Sequence, residues 1–260
     1  LEPEEFRDKK IGMSELHTEE CTAYLHYTMK HMAEIADKLG KQEDYDLFHE
    51  YAEGAKKAYN YLFVQNGTID TDRQAKLVRP LALGLLDGEK KQNVQNRLVQ
   101  AVENRGYRVG TGFLSTPFLL PTLTEAGRAD VAYKMLENEE TPSWLAEVNA
   151  GATTVWEDWE GKVSHNHYSP GAVCEWLFRY VGGIEIVGEN HFVIRPIPGG
   201  SMCHAETTYK SIYGEVYSRW CRTKTGYRFE IVVPSNTTAE IILPNGESHK
   251  VQSGIYSYHS

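Results

Sequence analysis

Hydrophobic and polar positions recur with two different periods along this chain, and the change falls near residue 183. In residues 18–40, TEECTAYLHYTMKHMAEIADKLG, the apolar side chains Cys21, Leu25, Met29, Met32, Ile35 and Leu39 stand three or four apart, which predicts a helix. Thr18 suits its start, Glu19 and Glu20 its first turn, and Gly40 its end. Gln42–Phe63 repeats the pattern through Tyr45, Phe48, Tyr51, Ala52, Ala55, Ala58 and Leu62. The short link between the two predicts an antiparallel helical hairpin. Further helices are expected over 73–86, where Pro80 kinks or breaks the run, and over 90–104, 117–125 and 128–138. A last one is expected over 171–181, with Pro170 just before it.

After Gly182-Gly183 the period becomes two. IEIVG, HFVIRP, TTYKSIYGEVYSRWCRTK, GYRFEIVVP, TAEIILP and IYSYHS alternate and are punctuated by Asn, Gly and Pro. Helices first and strands after, without alternation, exclude a parallel α/β sheet. Helical hairpins in series with no fixed-length repeat favour an (α/α) toroid over a solenoid. The expected organisation is a helical domain over 1–183, with about seven helices, and a small antiparallel β-sandwich over 184–260. Residues 1–17 are polar, without clear period, and read as a linker.

Composition narrows the partners. A formal net charge of −9 argues against a nucleic-acid surface, and no apolar run is long enough to span a membrane. The first ten residues, LEPEEFRDKK, have neither a basic nor an apolar leader segment, so no secretory signal is visible in them. The four cysteines, Cys21, Cys174, Cys203 and Cys221, are scattered, with no zinc-type spacing. They read as ordinary buried or half-buried thiols, with a Cys203–Cys221 disulfide left open.

The chemistry concentrates in residues 141–179, TPSWLAEVNAGATTVWEDWEGKVSHNHYSPGAVCEWLFR. Its first part, residues 141–167, holds Trp144, Trp156 and Trp159, the acids Glu147, Glu157, Asp158 and Glu160, and His165 and His167. Indoles stack on the apolar faces of pyranose rings and a nearby carboxylate moves a proton, so the grouping points to sugar cleavage. Glu157 stands out, because a carboxylate held between Trp156 and Asp158 is partly desolvated and suits a general base. The stretch itself is expected to be loop for the most part. Trp144, Trp156 and Trp159 are candidate sugar platforms, and Asn166 and His167 are candidate hydroxyl contacts. His165 and His167 lack a third ligand, so no metal is expected, and no cofactor is implied. Tyr107, Arg108 and Thr111 in the glycine-rich loop are candidate rim residues. The row Tyr209, Tyr213, Tyr217 and Trp220 is read as packing rather than a sugar face.

Two of these segments carry a family resemblance. ATTVWEDWEG followed by SHNHYSPGAVCEWLFRYVGGI resembles the second half of the catalytic domain of glycoside hydrolase family 78, the α-L-rhamnosidases. GTGFLSTPFLLPTLTEAGRADVAYKML upstream and VIRPIPGG downstream fit the same order. The resemblance implies part of an (α/α)6 barrel followed by a β-sandwich, and an inverting hydrolysis that releases terminal α-linked rhamnose. It implies that Glu157 activates water and that His167, in Asn166-His167-Tyr168, contacts the sugar. An inverting pair would hold its carboxyl groups roughly 6.5–9.5 Å apart.

Two departures qualify this. Only ten positions separate Glu157 from His167, a shorter connection than the family usually carries. The family's early acidic motif, with the general acid, has no counterpart in residues 1–60. The chain is therefore expected to be a C-terminal part with half a ring of helices and an uncovered apolar face. That face would pair with a second copy or with the missing N-terminal half. Two other readings are a non-catalytic carbohydrate-binding or assembly remnant, and an (α/α)-toroid glycosidase for another sugar. No compartment is indicated.

Overall fold

A computed structural model describes residues 17–260. Two compact units emerge: one reaches to Val131 and adds Asn138–Pro170, and the other joins Ala132–Glu137 to Gly171–Ser260.

In the first unit α1 (Thr18–Lys38) and α2 (Gln42–Phe63) form the expected hairpin, turned at Gly40 with φ +67°. The face that packs is not the one carrying the large side chains. Ala23, His26, Ala33 and Ala36 of α1 are buried, as are Ala52, Ala55 and Tyr59 of α2. Leu25, Met32, Ile35 and Leu39 are exposed, with Leu47, Tyr51 and Leu62 of α2. Alanines let the two backbones approach closely, and the imidazole of His26 meets the Ala52 carbonyl at 2.9 Å. The large apolar stripe is exposed.

The third helix, α3 (Gln74–Ala82), is shorter than its apolar pattern. Pro80 removes a donor in its last turn, and Gly84, at φ +77°, ends it. α4 (Gly88–Asn104), α5 (Thr116–Glu125) and α6 (Ala129–Leu136) follow close to the expected ranges. Residues 141–179 contain more helix than their composition indicates. Ser143 caps α7 (Trp144–Asn149) by accepting from the Ala146 N–H at 3.1 Å. The single helix expected over 171–181 is instead broken into α8 (Tyr168–Gly171), α9 (Val173–Trp176) and a π-helical turn, Leu177–Val181. Gly182 N–H donates to the Leu177 carbonyl at 2.7 Å, the five-residue step that widens the turn.

The second unit holds two four-stranded sheets. One has the order β1 (Ile184–Ile186), β2 (His191–Ile194), β6 (Thr238–Ile242), β7 (Ser248–Val251). The other has β3 (His204–Ser211), β4 (Gly214–Arg222), β5 (Tyr227–Val233), β8 (Gly254–His259). All pairings are antiparallel except β2 with β6, which is parallel. Strict alternation buries Val216, Ser218 and Trp220 on β4 and Phe229, Ile231 and Val233 on β5. Ring contacts of Phe192 with Tyr209 and of His249 with Tyr258 link the two sheets as a sandwich. All four cysteines are free thiols, and Cys21, Cys174 and Cys203 are exposed rather than buried or half-buried as expected. The register pairs Cys221 with His204, one residue past Cys203, so alternation directs the two sulfurs to opposite faces.

Gly183 (φ +81°) is required where the period changes, because a Cβ there would stand 2.2 Å from the Pro196 nitrogen. Trp220, fully buried, donates its indole N–H to the Val181 carbonyl at 2.8 Å. Trp220→Phe leaves that carbonyl unpaired in the core, and a loss of about 1–3 kcal/mol is expected in urea denaturation. A loss below about 0.5 kcal/mol would mean the indole bond adds nothing.

Candidate active site

Residues 152–168 form a compact hairpin at the end of α7. His167 N–H donates to the Val155 carbonyl at 2.9 Å, and Glu157 N–H to the Ser164 carbonyl at 2.8 Å. The Thr154 hydroxyl donates to the His165 carbonyl. Asp158 closes the turn: its Oδ1 accepts from the N–H groups of Lys162 (2.8 Å) and Val163 (3.3 Å). Gly161, at φ +67°, sits where a Cβ would come 2.7 Å from the Trp156 ring. Glycine at 161 and a capping carboxylate at 158 explain how so short a connection reverses direction.

The hairpin places Glu157 and His167 on its two arms. Glu157 is half-buried, and its Oε2 accepts from the Ser164 N–H at 3.3 Å. The His167 ring stacks with Phe113, with centroids 4.3 Å apart and planes at 21°, and with Tyr168 at 5.2 Å and 20°. Its Nδ1 accepts from the Ser169 N–H at 3.3 Å, so the neutral imidazole carries its proton on Nε2 and offers a donor there. The Ser169 hydroxyl donates to the Phe113 carbonyl at 2.7 Å, tying the glycine-rich loop to this arm. Asn166 is exposed.

The tryptophans divide. Trp144 and Trp159 are 8% and 9% exposed and meet edge to face at 5.5 Å and 89°. The Trp144 N–H donates to the Pro170 carbonyl at 2.9 Å, so this pair supports the hairpin from inside. Trp156 is half-buried and stacked by His165 at 5.1 Å and 25°. Thr111 is fully buried, its hydroxyl 2.8 Å from that of Thr116, while Tyr107 and Arg108 keep partial exposure. Gln74 pins this loop by accepting from Gly110 N–H at 2.8 Å and donating to the Arg108 carbonyl at 3.0 Å.

The acid of this segment that lies desolvated is Glu147, only 3% exposed. Its Oε2 accepts from the Trp156 N–H at 3.2 Å, and its Oε1 is buried with no hydrogen-bond partner among the described residues. Burial pushes its carboxyl up to about 6; the Trp156 N–H opposes the rise and the Asp158 charge adds to it. Composition alone counts Glu147 as one acid among four. Ser143 three positions before Ala146 was the available cue that α7 begins there, with Trp144 and Glu147 on one face. Phe113 was equally unmarked, one aromatic in a glycine-rich segment.

Residues 12–181 match the family model described as the bacterial alpha-L-rhamnosidase 6 hairpin glycosidase domain, and residues 188–257 match the bacterial alpha-L-rhamnosidase C-terminal domain. An alpha-L-rhamnosidase of Formosa agariphila is 36% identical over 89% of this chain, and one of Streptomyces avermitilis is 35% identical over 89%. The chain spans only about a quarter of these relatives, 27% and 24% of their lengths. Among solved structures, a rhamnosidase of Aspergillus terreus superposes with a TM-score of 0.87 at 32% identity, over 91% of this chain and 30% of that one. The Streptomyces avermitilis enzyme complexed with L-rhamnose gives 0.84 at 32% identity, over 91% of this chain and 26% of that one. The helical unit thus carries part of a six-hairpin glycosidase domain, followed by the β-rich C-terminal domain, and this chain belongs to the bacterial α-L-rhamnosidase family.

Proposed function

We propose that this chain supplies the water-activating half of an inverting α-L-rhamnosidase, with Glu157 as general base and His167 as a sugar contact. The observation that carries this reading is the hairpin, which holds a half-exposed carboxylate and an oriented imidazole donor on adjacent arms. Glu157 takes a proton from water as the water oxygen attacks the anomeric carbon, and the glycosidic oxygen leaves with a proton from a general acid. Residues 17–60 hold no acid grouped with a tryptophan, so the reading assigns that acid to a segment or partner beyond the described residues. Trp156, with Asn166, lies nearest to solvent among the remaining candidate sugar contacts, and Trp144 and Trp159 contribute by shaping the hairpin. The proposed division assigns the catalytic part to 1–183 and the β-sandwich to 184–260. The open apolar stripe of α1 and α2 supports a covering partner, either a second copy or the N-terminal half of the ring.

The test is release of p-nitrophenol from p-nitrophenyl α-L-rhamnoside by this chain across pH 4–8, alongside L-rhamnose binding followed by tryptophan fluorescence. Binding is expected, and His167→Ala should weaken it about tenfold, the loss of one hydrogen bond to the sugar. Turnover would show that an acid reaches the site in the chain as it stands. Binding without turnover would fit the missing acid. A chain that neither binds rhamnose nor turns over would overturn the proposal.

A further inference from the structure

We propose that Glu147 is a positioning residue, whose carboxyl group holds the Trp156 peptide and thereby sets the backbone that carries Glu157. The inference rests on the reading of Glu157 as the base and names what holds that base in place.

The argument begins with cost. A carboxyl group that is 3% exposed, with one oxygen unpartnered, is more expensive to bury than the methionine or leucine that would fill the same space. Its one bond is to the backbone N–H of Trp156, the residue immediately before Glu157. The bond spans nine residues and joins α7 to the outgoing arm of the hairpin. It is a side-chain bond from the helix to the arm, made at a residue flanked by the paired Val155 and Glu157.

The protonation state follows from the geometry. Because Oε2 faces an N–H donor, the proton of the neutral acid sits on the unpartnered Oε1. When that proton leaves, the Trp156 N–H···Oε2 bond becomes charge-assisted and tightens. Glu147 is the one ionisable group of α7. From the hairpin, Asp158 acts on it electrostatically, Glu157 follows the bonded peptide, and His165 stacks on the Trp156 ring. The carboxyl ionises at about pH 6, within the range where the proposed reaction would be assayed.

The experiment needs neither substrate nor turnover. On the full chain, the backbone amide resonances of Trp156, Glu157 and Ser164 and the side-chain carboxyl carbon of Glu147 are followed by NMR from pH 4.5 to 7.5. All four are expected to move in one step centred near pH 6, with the Trp156 amide proton shifting downfield as pH rises. Glu147→Gln should abolish the step, and His165→Gln should retain it. Glu147→Leu should speed hydrogen exchange of the Trp156 amide by about tenfold or more. A step that survives in Glu147→Gln, or vanishes in His165→Gln, belongs to another group and overturns the proposal. Movement of Trp156 alone, with Glu157 and Ser164 still, shows that Glu147 does not set the base. Should Glu147→Gln fail to fold, the wild-type comparison decides: amide midpoints that differ from that of the Glu147 carboxyl carbon sink the idea. Full turnover in Glu157→Gln would end the reading of Glu157 as base while leaving this titration intact, so the two failures are distinguishable.

Discussion

Glu157→Gln is expected to lower kcat on p-nitrophenyl α-L-rhamnoside by about 10²–10⁴-fold, the usual contribution of a general base. The assay uses this chain, or this chain joined to the segments that complete its relatives. The substitution removes the proton acceptor and keeps the shape, including an oxygen that can still accept from the Ser164 N–H. L-rhamnose affinity should therefore stay within about threefold, because the lost interaction develops only as the water loses its proton. In kinetic terms, kcat and kcat/KM should fall together. Azide supplies a second readout. It is an anionic nucleophile and needs no base, so it should restore part of the turnover of Glu157→Gln and yield the rhamnosyl azide of inverted configuration. A loss below tenfold, or no azide effect on a strongly impaired variant, would remove Glu157 from the role of base.

The helices and the switch to strands were legible because period and punctuation are local properties of the chain. The face each helix buries was not. Leu25, Ile35 and Leu39 and the alanines at 23, 33 and 36 both recur at helical spacing, and only the close approach of α2 decides between them. Within the candidate site, Glu157 and His167 are proposed from a short motif, and the structure sets them on adjacent arms of one hairpin. Glu147 was not legible in the sequence. Its burial depends on α7 forming within a stretch rich in turn residues, and on a bond to a peptide nine residues on. Asp158 illustrates the same limit: it reads as an acid facing solvent, yet its oxygen is occupied in capping the turn. Glu19 is the extreme case. It reads as a favourable charge in a first helical turn, and its partner lies sixty residues away.

That partner supports the second large prediction. Arg79, 6% exposed on α3, donates through Nη2 and Nε to the Glu19 carboxylate, which is itself 6% exposed. Arg79 Nη1 also reaches the Ser115 hydroxyl at 3.2 Å and the Glu20 carboxylate at 3.4 Å, and the buried Tyr59 hydroxyl donates to Glu19 at 2.7 Å. The cation thus joins α3 to α1 and to the loop that leads into α5, and Glu19 links α2 to the same cluster through Tyr59. Arg79→Met keeps much of the volume and leaves the Glu19 charge buried with a single neutral donor. A cost of about 3–5 kcal/mol is expected, as for other buried pairs stripped of one partner. In a domain of this size that lowers Tm by roughly 6–20 °C. Adding Glu19→Gln in the same chain removes the uncompensated charge while still accepting from Tyr59, so the double variant should recover at least about 2 kcal/mol of the loss. Recovery distinguishes a charge left without its partner from a cavity left without its side chain. If the double variant is no more stable than Arg79→Met, the deficit comes from lost packing, and the ion pair is not what fastens α1 and α2 to α3.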